Sequence, residues 1–338
     1  MKVDVRTQPD PYTVHIERGI LRRAGEILPL NRRALVVTDS GVPKEYAETV
    51  CAQCAAPTAV TLPSGEETKS FSSLQTLCRV MLEKGFTRTD AVVAVGGGVI
   101  GDLAGFAASV YMRGIDFFNF PTTLLSQVDS SIGGKTAVNF EGVKNVIGTF
   151  YQPSAVLIDP LTLDTLPKRQ IASGMAEVIK MAATFDADLF ESLENGNLPI
   201  EEIIARALRI KARVVEADTR EAGLRRVLNF GHTVGHGIES AEGLGGLTHG
   251  ECVALGMLVM SGGEMRERIR RVLKKWGLPT EIHADISKVL EALSHDKKAS
   301  GDRISVITCD APGSYSIETL PMETFKTRVT AVLKGDAK

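Results

Sequence analysis

Three of the chain's six histidines, His232, His236 and His249, fall within eighteen positions. His232 and His236 are four apart in Asn229-Phe-Gly-His-Thr-Val-Gly-His236, so a helix there places both rings on one face. A carboxylate from another helix would complete a His2Glu set for a divalent metal. One or two positions would remain for water or substrate, as catalytic zinc sites require. Glu177, in Gly174-Met-Ala-Glu-Val-Ile-Lys180, is the candidate, and Lys180 shares its helix face. Spacing leaves open which two of the three histidines ligate.

A second cluster is built from glycines. Gly96-Gly97-Gly98-Val99-Ile100-Gly101 fits the G-x-G-x-x-G pattern between an apolar run and a helical one. There the backbone can approach a pyrophosphate, and the helix N-terminus offers N–H groups and a positive dipole end. Two features depart from the usual dinucleotide fingerprint. The motif is not in the first βα turn, and no acid ends the next strand, because Asp116 begins one. Asp102, just inside the helix, would repel a pyrophosphate if it pointed inward. A nucleotide site of a non-standard kind is the reading.

The segment Pro121 to Asn139, followed by Lys144-Asn145, is the densest polar stretch of this half. Gly133-Gly134-Lys135-Thr136 resembles the end of a P-loop, but Asp129 stands where its first glycine belongs, which argues against one. Small residues beside lysines still suit capture of phosphate or carboxylate. Cys51-Ala-Gln-Cys54 has redox spacing but no second pair, and is read as structural. His15 and His283 stand alone. His295-Asp296-Lys297-Lys298 reads as a charged loop that could close over an anion.

The elements that must position these groups follow from periodicity. Ala34–Asp39, Thr58–Leu62, Asp90–Val95, Asp116–Phe120 and Val156–Asp159 read as strands. Thr68–Lys84 reads as a helix with Phe71, Leu74, Leu77, Val80 and Met81 on one face, and a helical pattern follows the glycines through Tyr111. Strand and helix alternation predicts an α/β domain with a parallel sheet. Beyond Asp159, four helices are expected, at 167–184, 199–218, 224–242 and 252–273, which indicates a separate α-helical domain. Arg303–Thr308 and Ser314–Glu318 flank turn formers as a small hairpin. The expected domains are 1–160 and 161–338.

Composition bounds the function. The 338 residues are 43% hydrophobic and 24% charged, with 39 Lys plus Arg against 41 Asp plus Glu, a net charge of −2. These values exclude a disordered or low-complexity chain and give no global basic field for nucleic acid or an anionic membrane. No signal-like or membrane-length apolar run occurs, and five irregularly spaced cysteines suit a reducing cytoplasm.

Taken in order along nearly the whole chain, these motifs resemble the dehydroquinate synthases of the shikimate pathway. The most specific pieces are Gly96–Asp102, Arg113-Gly114, Pro121–Asn139, Lys144-Asn145, Ala176–Lys180, Arg225–His236 and His249-Gly250-Glu251. Ser64 stands where an Asp is usual, and Met181-Ala182 where Tyr-Gly is common; neither position is assigned to chemistry. The resemblance implies an N-terminal Rossmann-like α/β domain with a parallel-type sheet and a mainly α-helical C-terminal domain, a dehydroquinate synthase-like fold with its site in the cleft between them. It also implies catalytic NAD and one divalent metal, Zn2+ or Co2+. The substrate would be 3-deoxy-D-arabino-heptulosonate 7-phosphate, and the products 3-dehydroquinate and phosphate.

By that resemblance the metal ligands are Glu177, His232 and His249, and His236 faces substrate. Asp129, Lys135, Lys144, Asn145, Lys180, Lys211, Glu221, Arg225, Asn229, His236 and one of Lys297 or Lys298 would surround the substrate. Arg113 would reach the neighbouring subunit's site, which implies a homodimer. NAD would meet Gly65, Glu66, Glu67, Thr68 and Lys69; Gly98, Val99, Ile100, Gly101 and Asp102; Thr122 and Thr123; Thr162, Leu163, Asp164 and Thr165; and Lys135 and Lys144 besides. The alternatives are a related cyclase of the valiolone or deoxyinosose synthase type, a metal-dependent glycerol-phosphate or alcohol dehydrogenase, and a non-enzymatic NAD sensor. Arg225, Asn229 and the Lys297-Lys298 pair favour a substrate that bears a carboxylate.

Overall fold

The computed structural model describes residues 1–221, 223–243, 246–281, 285–294, 299–300 and 302–333. The chain forms two compact units, Met1–Leu166 with Lys211–Arg220, and Pro167–Ile210 with Glu221–Lys338.

The first unit carries nine strands: β1 (Lys2–Val5), β2 (Tyr12–Ile16), β3 (Arg33–Asp39), β4 (Ala56–Leu62), β5 (Ala91–Gly96), β6 (Asp116–Pro121), β7 (Lys135–Phe140), β8 (Val143–Phe150) and β9 (Ala155–Ile158). Its helices are α1 (Ala24–Ile27), α2 (Lys44–Cys51), α3 (Phe71–Glu83) and α4 (Gly98–Val110). Seven strands form one sheet in the order β1-β2-β9-β6-β5-β3-β4. All neighbours are parallel except β1 with β2.

Every residue of β5 is buried because both faces of the sheet are covered, which is why its sequence is a continuous apolar run and not an alternating one. Val92 and Ala94 pack with Leu77, Met81, Leu103 and Ala104 on one face. Val93 and Val95 pack with Ile20, Leu21 and Val50 on the other. Helix α3 starts at Ser70, whose hydroxyl accepts from the Ser73 N–H at 3.3 Å, and the chain turns away at Gly85 with φ 66°. Leu74, Leu77 and Met81 face the core as expected, but Phe71 is 41% exposed and instead meets the ring of Phe140 edge-on.

The parallel run β4-β3-β5-β6-β9 has the doubly wound order 2-1-3-4-5. Its direction of winding reverses between β3 and β5. The glycine turn therefore flanks the switch point although β5 is not the first strand, which accounts for its position in the chain. Two features of this unit were not expected from sequence. One is the antiparallel pair β1-β2 at the sheet edge. The other is the β7-β8 hairpin, closed by Glu141 and Gly142, both with positive φ as a tight primed turn requires.

The second unit is helical: α5 (Lys168–Phe185), α6 (Ala187–Asn195), α7 (Ile200–Ala217, whose last residues belong to the first unit), α8 (His232–Glu242), α9 (His249–Val259), α10 (Gly263–Lys275), α11 (Ile286–Ser294) and α12 (Met322–Leu333). A small antiparallel sheet joins them, of β10 (Ala299–Ser300), β11 (Arg303–Thr308) and β12 (Ser316–Pro321), and it contains the expected hairpin. Two expected helices are each divided. The 224–242 segment is a 3-10 turn over Leu224–Asn229 and then α8, separated by Gly231 at φ 78°. The 252–273 segment is interrupted after Val259, where Ser261 bridges to Cys309. No described helix is long and apolar enough to cross a membrane.

Candidate active site

In the first unit, β5 delivers the chain into Gly97, and α4 begins at Gly98 with no side chain capping its first turn. Those N–H groups and the dipole end are what an anion would meet. The glycines also sit close against neighbouring side chains. A Cβ on Gly97 would lie 3.1 Å from Thr123 Cγ2, and one on Gly98 would lie 3.0 Å from Ser130 Oγ. Thr122 is tied to the turn by its N–H, which donates to the Gly96 carbonyl at 2.9 Å.

The charge of Asp102 does not stand alone over this turn. Lys69 pairs with its carboxylate at 2.5 Å and also donates to Asn145 Oδ1. Burial raises the Asp102 pKa, and Lys69 opposes that rise. The Asn145 N–H donates to Asn139 Oδ1 at 2.9 Å, and Asn139 Nδ2 donates to Glu66 Oε1 at 2.9 Å. One network thus joins the Gly65–Lys69 loop to α4 and to the β7-β8 hairpin.

Asp129 sits in a single π-turn, Ser126–Ser130. The Lys211 ammonium pairs with its Oδ1 at 2.8 Å and donates to its backbone carbonyl at 2.5 Å. π-turns of this kind recur at functional positions. Lys135 opens β7 and Lys144 lies on β8, both exposed. Thr162, Leu163, Asp164 and Thr165 form a 3-10 turn capped by Asp159.

Two residues of this unit were missed from sequence. The buried Gln127 amide donates to the carbonyls of Pro121 and Asp159 and to Thr162 Oγ1 at 3.0–3.2 Å, which ties the Thr122 and Thr162 loops together. Asp39 ends β3 beside the switch point and is a strand-terminal acid of the kind a dinucleotide site uses. Here that acid precedes the glycines, on the neighbouring strand. A search on both sides of the motif would have found it.

In the second unit, α5 holds Glu177 and Lys180 at 1% and 2% exposure in direct ion-pair contact. His232 opens α8 and His249 opens α9, and each Nε2 lies 3.4 Å from Glu177 Oε1. The donor atoms of these three residues all lie within 4.8 Å of one another. His236 is exposed, its ring 5.5 Å from that of His232 and 6.0 Å from that of His249. His236, Glu239 and His249 form a second group with donor atoms equally close, but it lacks a fully buried carboxylate.

The electrostatics suit a cation. Burial disfavours a charged Glu177, yet Lys180 and the two imidazoles outweigh it and hold the carboxyl well below its usual range. Both carboxylate oxygens are buried and accept no well-formed hydrogen bond. Burial and then Lys180 push His232 well below its ordinary pKa, so it is neutral at pH 7. Its Nδ1 faces the Phe230 carbonyl at 3.2 Å, which assigns the proton there and leaves the Nε2 lone pair toward Glu177. Burial lowers the His249 pKa, but Glu177 and Glu239 together raise it to about 9, so this ring must shed a proton to ligate. A fully buried carboxylate facing two imidazoles fits a divalent ion of the zinc type.

The α9 N-terminus that carries His249 is firmly built. Thr248 and Glu251 form a capping box, and Arg169 holds Glu251 in a two-pronged pair at 2.8 and 2.7 Å. Arg225 is buried in the 3-10 turn before α8, and Asn229 Nδ2 donates to Glu221 Oε1 at 2.7 Å. Arg113, Asn145 and Glu221 all adopt left-handed backbone, with φ 70°, 55° and 61°. Met112 and the hairpin-turn residue Glu141 share this conformation. Cys51 and Cys54 are free thiols, and burial pushes Cys54 up to about 11, which removes the reactivity their spacing suggests. Lys297 and Lys298 lie outside the described residues, as does His283.

The family models and the curated relatives agree over both units. The family model for the 3-dehydroquinate synthase N-terminal region matches residues 59–173, and that for the C-terminal region matches residues 174–299. A 3-dehydroquinate synthase from Latilactobacillus sakei subsp. sakei (strain 23K) is 40% identical over 346 residues, covering 97% of each chain. Among solved structures, a 2-deoxy-scyllo-inosose synthase complexed with carbaglucose-6-phosphate, NAD+ and Co2+ superposes with a TM-score of 0.89 at 27% identity, covering 97% of this chain and 99% of that one. A 2-epi-5-epi-valiolone synthase from Streptomyces hygroscopicus subsp. jinggangensis 5008, with NAD+ and Zn2+ bound, gives 0.87 at 27% identity, covering 96% and 97%. The chain belongs to the 3-dehydroquinate synthase family.

Proposed function

We propose that the protein converts 3-deoxy-D-arabino-heptulosonate 7-phosphate to 3-dehydroquinate and inorganic phosphate, a lyase step of the shikimate route to chorismate and the aromatic amino acids. Family membership across residues 59–299 carries this reading. It is supported by the Glu177–His232–His249 cluster around a buried carboxylate, which has the donor chemistry that the Co2+ and Zn2+ of the related cyclases call for. When bound, NAD+ would supply reversible hydride acceptance at the C5 alcohol, and a divalent ion held by Glu177, His232 and His249 would supply Lewis acidity toward the substrate's hydroxyls and carbonyl.

The chain's own groups do the rest. Glu177, His232 and His249 hold the ion. Lys69 cancels the charge of Asp102 beside the α4 N-terminus, so that this end of the helix can accept the cofactor's phosphates. Lys135, Lys144, Lys180, Asn145, Arg225 and Asn229, with Lys297 or Lys298, bind the substrate's phosphate and carboxylate and orient them for elimination and ring closure. Asp129, Lys211, Glu221 and His236 complete the substrate's surroundings. The free cysteines fit a cytoplasmic location.

The reaction is redox-neutral overall. NAD+ far below the substrate concentration should therefore support many turnovers of phosphate release, with no growth of NADH absorbance and with activity lost on chelation. Stoichiometric NADH accumulation would instead place the protein among the dehydrogenases.

A homodimer is the second part of the reading. Exposed Phe140, Val143, Val146 and Phe150 crowd the β7-β8 hairpin, and among the described residues β8 pairs with β7 alone. An apolar strand with one edge uncovered is normally paired or masked, and a second copy would do so. Arg113, strained in the turn after α4, would serve the partner's site. Arg113→Ala and Lys135→Ala should each be nearly inactive as homodimers. Mixed and re-equilibrated, they should regain activity toward half the wild-type level per heterodimer, because one site is then intact. Confirmed heterodimers without recovered activity would show that Arg113 acts within its own subunit.

A further inference from the structure

The ring of His249 lies between two carboxylates. Its Nε2 is 3.4 Å from Glu177 Oε1, and its Nδ1 is 3.5 Å from Glu239 Oε2. Glu239 belongs to α8, seven residues after His232, so the two share a helix face. The same helix therefore carries His232 and a carboxylate that reaches the far side of the histidine on α9. Glu239 is half-buried, its side chain 22% exposed, where a carboxylate accepts a hydrogen bond with less competition from water than on an open surface. A metal-bound imidazole needs a partner at its other nitrogen, because that partner fixes the tautomer and the plane of the ring.

We propose that Glu239 is the positioning carboxylate of the metal centre: it accepts the Nδ1–H of His249 and so aims the Nε2 lone pair at the position that Glu177 and His232 share. The inference rests on the assignment of Glu177, His232 and His249 as ligands. Two further observations favour it over direct ligation by Glu239. The Glu239 contact is to the Nδ1 side, away from the buried carboxylate, and the group Glu239 forms with His236 and His249 has no member as buried as Glu177.

The test uses Co2+ as the probe, with affinity measured by competition against a chromophoric chelator and geometry read from the visible ligand-field absorption. Glu239→Ala should weaken Co2+ binding about 10–100-fold and shift the absorption band, while thermal unfolding of the metal-free protein stays near wild type. Glu239→Gln, whose amide oxygen can still accept from Nδ1–H, should recover most of the affinity and the band. Glu239→Ala with unchanged affinity and spectrum, while Glu177→Ala abolishes binding, would overturn the inference and leave the ligand assignment standing. Loss of stoichiometric Co2+ from Glu239→Ala and His236→Ala, with binding retained by Glu177→Ala, would overturn both, because the metal would then occupy the second group. Equal weakening by Gln and Ala with an unshifted band would also overturn it, since the side chain would then act only through folding.

Discussion

Glu177→Ala should yield protein that retains no metal at stoichiometric loading and releases no phosphate from substrate. The expected effect exceeds that of any other single ligand, because two losses coincide. The carboxylate oxygens that face both Nε2 atoms are gone, and the Lys180 ammonium, 2% exposed, is left buried without its counter-charge. Breaking a buried ion pair from one side typically costs about 3–5 kcal/mol. Glu177→Gln separates the two, since the amide keeps the shape and an acceptor oxygen for Lys180 but removes the anionic ligand. The Gln variant should melt closer to wild type and still fail to hold metal. His232→Ala and His249→Ala should also lose metal, whereas His236→Ala should keep it and turn over slowly. Elemental analysis of the five purified variants decides this. Full metal in His249→Ala together with loss from His236→Ala would show that the ligands are the second group.

Sequence periodicity located the central parallel strands β3, β5 and β9 well because their burial on both faces leaves mostly apolar residues to read, as in Ala91–Val95. It missed β8 for the opposite reason: Val143 to Phe150 is largely exposed, so apolar and polar residues do not alternate with a buried face. It merged the 3-10 turn with α8 because the apolar spacing continues through Val227, Phe230 and Val234, while the extended backbone of Phe230 and the positive φ of Gly231 break the helix. The metal group was visible as residue types, but spacing could not choose between His236 and His249. That choice depends on how closely α8 and α9 approach, which no pattern within either helix encodes. Glu239 was invisible on the same ground, since its meaning comes from a histidine on another helix. Asp39 precedes the glycines in sequence, on the strand beside β5, where the usual downstream spacing of the fingerprint does not reach.

Helices α8 and α9 bring His232 and His249 together by packing backbone against backbone, and the glycines that allow this give the last prediction. A Cβ on Gly256 would lie 1.9 Å from the Gly231 carbonyl oxygen and 2.9 Å from the Gly235 N. Gly231 and Gly235 also approach α9 closely from the other side, with added Cβ atoms at 2.7 Å from the Val253 carbonyl oxygen and 3.0 Å from that of Cys252. No rotamer relieves a clash between a Cβ and a backbone atom, so Gly256→Ala must push the two helices apart. Overpacking of this kind typically costs about 1–3 kcal/mol, occasionally more. For a unit of this size each kcal/mol lowers Tm by about 2–4 °C. The displacement also separates the two imidazoles, so metal affinity should fall together with Tm, and added Zn2+ should restore less of the melting temperature than it gives the wild type. Gly25→Ala, inside α1 and with an added Cβ that would meet nothing closer than 3.4 Å, is the control and should lower neither quantity. A Gly256→Ala variant with wild-type Tm and metal affinity would mean that the α8–α9 approach does not set the distance between the two histidines.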